Sequence, residues 1–370
     1  MRDLYLDLSG SVKLPNLLEL IKDGGCFFIG ASVTAQKNGW PDKLIELLSD
    51  KHNCCITARK KAMGGVGTLF AVTDWKNFPV PANSLTFIEF STGDLNLGLT
   101  PLDQLESLLT LLISQVFARN SFPIVVHNWR SDYRGDKGDL VRDIYNSVCT
   151  KFSIPAIRNE LFIESEISRN ASLEKLWFRD ICHTHPEGAL KYAEHVSDAV
   201  AFISSLDSTS LRQSIDVRNL TECRRKIEAI YDIEPFLNGE QYKRKTYTYA
   251  HTGQQFAYID CDSSVTLKAS ISGLLMGVAF ISGPTSGWIE LLIDGEVKRK
   301  FRCFDRHSYY ERFILLPSVF HLHNRFIEIR VSKDPVDFSI AKKSHAQFEA
   351  DRRLQVVSLV GTDLKLTESS

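Results

Sequence analysis

"CFFIGASVTAQKNGW", residues 26–40, decides the fold. Four apolar residues run into Gly30-Ala31-Ser32-Val33-Thr34 and a polar bend. In "WPDKLIELLSDKH", residues 40–52, the spacing of Leu44, Ile45, Leu47 and Leu48 then predicts a helix. A short all-apolar run bounded by small residues is the pattern of a strand buried on both faces. Its end either simply turns the chain or holds Ser32 out as a reactive hydroxyl. Such turns are common, so the decision rests on what lies elsewhere in the chain.

Outward from this stretch the pattern alternates. "CCITARK" (54–60), "LTFIEF" (85–90), "FPIVVHNW" (122–129) and "ELFIE" (160–164) read as further strands. "PLDQLESLLTLLISQVFARN" (101–120) and "GDLVRDIYNSVCTKF" (138–152) read as helices. "HPEGALKYAEHVSDAVAFISSL" (185–206) closes the unit as an amphipathic helix, with Ala189, Tyr192, Ala193 and Val196 on one face. Apolar strands alternating with helices imply an α/β fold: a three-layer, flavodoxin-like parallel sheet covered on both sides.

The composition changes after residue 206. "DSTSLRQSIDVRN" (207–219) reads as a linker, and "LTECRRKIEAIYDI" (220–233) as a short helix. From residue 240 short, partly alternating strands follow, including "QFAYIDC", "SVTLKASISG", "LMGVAFISGP", "GWIELLIDGE", "KRKFRCF", "YYERFILLP" and "RFIEIRVS". Gly, Asp, Pro and Ser break them regularly, which predicts an antiparallel β-sandwich or jelly roll. The expected domains are residues 1–205, a linker with a helix over 206–239, and the sandwich over 240–362. The end, "TDLKLTESS", is expected to fray.

Bulk properties exclude some partners. The 370 residues carry 44 basic and 45 acidic side chains, a net charge of −1, so no bulk charge favours nucleic acid or an anionic membrane surface. No apolar run reaches the roughly 18–20 residues that span a bilayer. The N-terminal 25 residues lack the apolar core of a secretory signal. The eight cysteines form no CxxC pair or zinc-like spacing, and the expectation is reduced thiols in a cytoplasmic protein without a metal.

In an open parallel sheet, ligands sit at the carboxyl ends of the strands. Those ends carry Ser32, then Gly64, Gly65 and Gly67 in "AMGGVGT", then "STGDLN" with Asp94 and Asn96, then His127-Asn128-Trp129. "FRDICHTHPEG" (178–188) precedes the last helix. Acyl transfer needs a hydroxyl, a base, a carboxylate that orients the base, and N–H donors for the oxyanion. Asp180 and His183 stand three apart and can be presented by one loop. Each feature alone has a plain reading: the glycines as a turn, Asp180 as a helix cap. Their order along the chain carries the argument.

In that order the residues resemble the SGNH or GDSL-like serine hydrolases, over roughly residues 24–203. "FIGASVT" is similar to the first block, "AMGGVGT" to the second, and "RDICHTHPEGALKYA" to the last, a DxxH. The resemblance implies Ser32 as nucleophile, His183 as base, Asp180 as orienting acid, and the Ser32 and Gly65 N–H groups as oxyanion donors. The third block departs from the family, because Gly93 stands where an Asn amide completes the oxyanion hole. Asn96 is the nearest replacement. His185, His127 and Trp129 are possible pocket residues, and Tyr133 could stack on a sugar ring.

A sandwich beside such a domain is similar to the build of carbohydrate O-acetyl esterases. The implied function is serine-dependent O-acetyl ester hydrolysis on a carbohydrate or another acylated small molecule, without a cofactor. The alternatives are a polysaccharide O-acetyltransferase using acetyl-CoA or another acyl donor, and a weakly active module that binds glycan or protein.

Overall fold

The computed structural model describes residues 4–5, 16–75, 78–95, 99–132, 136–205, 226–237, 241–342 and 351–367. The chain divides into two compact units. One is Met1–Val72 with Phe78–Arg224, and the other is Thr73–Asn77 with Arg225–Ser370.

The first unit is built on strands β1 (Leu4–Tyr5), β2 (Cys26–Gly30), β3 (Ala58–Ala62), β5 (Leu85–Glu89), β6 (Phe122–His127) and β7 (Ala156–Arg158). They form a six-stranded sheet in the order β1-β7-β6-β5-β2-β3. All pairs are parallel except β1 with β7. The helices are α1 (Leu17–Asp23), α2 (Ser32–Ala35), α3 (Trp40–His52), α4 (Thr68–Val72), α5 (Ser91–Asp94), α6 (Leu102–Phe117), α7 (Asp136–Phe152), α8 (Asn159–Arg169), α9 (Ser172–Trp177) and α10 (Pro186–Ser205). Leu44 and Leu48 of α3 share a core with Tyr192, Val196 and Val200 of α10 and with Phe28, Phe87 and Ile124 of the strands. Phe28 stacks on Phe87 at 5.1 Å and meets the edge of Trp40 at 5.3 Å. Each such side chain stabilises the fold by about 1.5–3 kcal/mol through burial.

One expected strand is corrected. "ELFIE" lies inside α8, and the fifth parallel strand is Ala156–Arg158 just before it. Ile163 and Ile167, four apart, are both buried, so the helical period won over the apolar run.

The second unit holds a nine-stranded, mostly antiparallel sheet, the β-sandwich-like domain. Its strands are β4 (Thr73–Asp74), β8 (Ile227–Ile230), β9 (Tyr242–Thr248), β10 (Gln255–Asp262), β11 (Thr266–Ser282), β12 (Trp288–Ile293), β13 (Glu296–Arg302), β14 (Arg312–Val331) and β15 (Arg353–Thr367). The helix expected over 220–233 is replaced, in its described part, by β8. β4 pairs with β8 in parallel, and Trp75 beside it packs edge-on against Phe256 and Phe313. "SVTLKASISG" and "LMGVAFISGP" are one strand, as are "YYERFILLP" and "RFIEIRVS". The expected breaks are β-bulges at Ile271/Gly273 and Leu275/Gly277, which bend strands without ending them. Residues 362–367 are not frayed; they complete β15 and pair with β11. The edge strands β9 and β13 carry Lys243, Arg244 and Lys245, and Lys298, Arg299 and Lys300, which discourage edge-to-edge pairing with another sheet.

Among the described residues no helix is long and apolar enough to cross a membrane. Cys26, Cys54, Cys55, Cys149, Cys182, Cys261 and Cys303 are free thiols.

Candidate active site

The opening question has a local answer. β2 ends at Gly30, a position that needs glycine because a Cβ there would lie 2.4 Å from Thr34 Oγ1 and 2.8 Å from the Glu89 carbonyl. The chain then enters a one-turn helix, α2 (Ser32–Ala35). Ala31 N–H donates to Glu89 O at 3.0 Å, and Ala35 N–H to Ala31 O at 3.0 Å. Ala31, Val33, Thr34, Ala35 and Gln36 are all buried; Ser32 alone in that run is partly exposed. The turn therefore buries its other residues and leaves Ser32 partly exposed. Among the described residues, the Ser32 hydroxyl has no hydrogen-bonded partner.

Asp180 and His183 come together directly. His183 Nδ1 lies 2.9 Å from both Asp180 carboxylate oxygens. Asp180 Oδ1 also accepts the backbone N–H groups of Cys182 at 3.1 Å and His183 at 2.9 Å. The loop closes as a short hairpin: Phe178 bridges Thr184, Arg179 N–H donates to His183 O at 3.0 Å, and His185 N–H to Trp177 O at 2.8 Å. Burial would raise the Asp180 carboxyl, but the two backbone donors and the imidazole hold it below the usual range. Burial pulls His183 down, Asp180 pushes it back up, and the balance lies below the usual histidine value. The imidazole is thus neutral near pH 7. With Nδ1–H donated to Asp180, Nε2 carries the basic lone pair.

Gln36 joins the two parts. Its Nε2 donates to Thr184 O at 3.1 Å, and its Oε1 accepts Thr184 N–H at 3.1 Å. This two-point amide clamp, buried at both ends, fastens the chain four residues beyond Ser32 to the residue after His183. Nothing local in the sequence signals it, because the partners are 148 positions apart.

Gly65 has φ +73, a left-handed conformation that favours glycine, and its peptide is only partly covered. That suits a backbone donor. Asn96 lies outside the described residues, as does Tyr133. The third block is instead a buried brace. Asp94 accepts Thr68 N–H at 2.9 Å, the Thr68 and Thr100 hydroxyls at 2.6 Å each, and Tyr145 Oη–H at 2.7 Å. A Cβ at Gly93 would sit 2.4 Å from Val66 O and 3.0 Å from Ala31 Cβ, so this backbone has no room for the family's Asn.

The three possible pocket residues are placed as follows. His127 is fully buried with its ring edge-on to Tyr145, and burial, with Arg158 and Arg142 nearby, drives it down to about 3. Trp129 is 4 % exposed, its ring tilted 40° to that of Phe178 at 4.4 Å, and donates Nε1–H to Glu164 at 2.9 Å. Both belong to the core, not to a solvent-facing wall. His185 caps the last helix through its carbonyl, which accepts Ala189 N–H at 3.0 Å.

One acid was not anticipated. Glu89, at the end of β5, is fully buried. It accepts Thr34 Oγ1–H at 2.9 Å and Thr92 Oγ1–H at 2.6 Å. Desolvation, only partly offset by these hydroxyls, raises it to about 7.

No family model matches the sequence, and no curated protein is similar to it in sequence. Among solved structures, a two-domain esterase active on acetylated mannans matches 97 % of this chain and 99 % of its own. The TM-score is 0.63 and the identity 13 %. The same type of esterase co-crystallised with mannopentaose matches 99 % of both chains, again with a TM-score of 0.63 and 13 % identity. The likeness is one of fold: an α/β unit built on a parallel sheet together with an additional β-domain.

Proposed function

We propose that this protein is a serine esterase that removes O-acetyl groups from a carbohydrate. The observation that carries the reading is the Asp180–His183 pair, clamped through Gln36 and Thr184 to the turn that presents Ser32. His183 Nε2 takes the Ser32 proton as Oγ attacks the ester carbonyl. The N–H groups of Ser32 and Gly65 receive the oxyanion. Collapse of the tetrahedral species breaks the C–O bond, and His183 returns the proton to the leaving sugar hydroxyl. Water then attacks acetyl-Ser32 with the same base, and acetate leaves. Asp180 holds the tautomer and stabilises the imidazolium. The bond between Ser32 and His183 forms as substrate enters, since such contacts are often loose in free enzymes.

The carbohydrate part of the proposal rests on the full-length likeness to an esterase of acetylated mannans, and fold-level analogy alone supports it. The test is acetate release from p-nitrophenyl acetate and from acetylated mannan by wild type and Ser32→Ala. The expected loss is roughly 10⁴–10⁶ in kcat. Equal release by both proteins would overturn the reading and favour a binding module. Acetyl transfer to a mannooligosaccharide, followed by mass, separates a transferase from a hydrolase.

A further inference from the structure

The missing amide of the third block leaves the oxyanion with fewer donors than the family supplies, and position 93 cannot hold a side chain. The geometry points to Arg130 as the replacement: its guanidinium supplies positive charge that stabilises the tetrahedral oxyanion at Ser32. This rests on the serine-esterase reading above.

Four observations converge on it. First, Gly93 lies against the nucleophile turn, because a Cβ there would come within 3.0 Å of Ala31 Cβ. Second, Arg130 reaches the same peptide: Nη1 donates to the Thr92 carbonyl at 2.6 Å. Third, Ser131 N–H donates to Ile181 O at 2.9 Å, so the Arg130 loop is also fastened to the loop of Asp180 and His183. Fourth, the guanidinium is pre-oriented. Nε and Nη2 grip the Asp132 carboxylate at 2.8 and 2.7 Å as a fork. Arg130 is 5 % exposed, whereas its counter-ion Asp132 is 53 % exposed. The cation is thus buried at the rim with its neutralising charge turned toward water.

Burying a guanidinium costs several kcal/mol unless something repays it, and an apolar side chain would fill the space more cheaply. A transition state that develops negative charge beside it is such a return. Burial is the main cause that lowers His183, and the charge of Arg130 adds to it, so its field reaches the proposed base.

Arg130→Met, Arg130→Lys and Arg130→Ala would be assayed on p-nitrophenyl acetate, with thermal midpoints measured alongside. Arg130→Met is expected to lose roughly 10²–10³ in kcat, with KM changed by less than about threefold. Arg130→Lys should retain an intermediate rate, and millimolar guanidinium should restore part of the Arg130→Ala rate. A folded Arg130→Met enzyme with near wild-type kcat would overturn the inference. So would Arg130→Lys being as slow as Arg130→Met with no guanidinium rescue, since charge would then be irrelevant. Ser32→Ala separates the two levels. If it is inactive while Arg130→Met is not, only the Arg130 role fails; if it is active, the esterase reading fails first.

Discussion

Buried acids are held in opposite ways in the β-domain and, in the other unit, at the pair Glu89 and Asp94. In the β-domain each is matched by cations. Asp260 is gripped by Arg353 and Lys245, and Glu290 by Arg330 and Lys300. At the rim of the parallel sheet, Glu89 and Asp94 are held mainly by hydroxyl groups. Both carboxyls are consequently raised by desolvation, whereas Glu290 is held below its usual range by its partners despite burial. Charge matched in place stabilises a fold. Acids held without a matching cation are the kind of perturbed groups that functional sites collect, which fits the esterase reading proposed above.

The largest expected effect tests whether the rim is catalytic at all. Asp180→Asn should keep the fold and cost roughly 10³–10⁴ in kcat, because the amide favours the wrong imidazole tautomer. A near wild-type rate would erase the functional side of the contrast. Next comes the clamp. Gln36→Leu releases Thr184 and should lower kcat by roughly 10- to 100-fold through misplacement of His183 against Ser32. Its check is the same ester assay, with circular dichroism to show that the fold survives.

Gly93→Asn would install the amide that the resemblance to SGNH hydrolases led one to expect. In this backbone it should destabilise the protein by about 1–3 kcal/mol through overpacking against Val66, read as a lower thermal midpoint.

The acids themselves give a contrast of sign. A buried carboxyl raised to about 7 favours the folded state while protonated and loses that advantage as pH climbs through 7. Glu89→Gln should therefore flatten the fall in thermal midpoint between pH 5 and 8, by on the order of 1–3 kcal/mol. Glu290 runs the other way. Its lowered carboxyl contributes stability at neutral pH that disappears as the solution is acidified through its folded pKa. Glu290→Gln should be destabilising at pH 7 and nearly neutral in acid. Slopes of the same sign for both variants would break the comparison. The smallest effect is kinetic: the acid limb of kcat/KM should have its midpoint below 6.5, since His183 sits below that value.

What the sequence made legible follows from the range of the interactions. The strand-to-turn at 26–34 and the DxxH loop are set by neighbours within a few residues. Small residues at Gly30 and Ala31 and the three-residue spacing of Asp180 and His183 were enough to read both. Periodicity found α3, α6 and α10. It failed at "ELFIE", where five residues are too few to separate a strand from a helix carrying Ile163 and Ile167. Glycine punctuation misled in the β-domain. Gly273, at φ +117 and pressed against the backbone of Asp363, makes a bulge inside a long strand where a turn was expected. The Gln36–Thr184 clamp, the Arg130 fork over Thr92 and the hydroxyl cradle of Glu89 leave no local trace, because each joins segments that meet only through the fold.

The short strand Thr73–Asp74 and Trp75 belong to the β-domain although the chain around them builds the other unit. On the ribosome, Thr73 emerges long before Ile227, the partner it pairs with. The β-domain therefore cannot finish assembling until its last strands are made, and a fragment beginning at Arg225 would be born without one strand and without the indole packed edge-on against Phe256 and Phe313. Cutting this molecule in two at a single peptide bond would yield one half that carries a misplaced piece and another that lacks it.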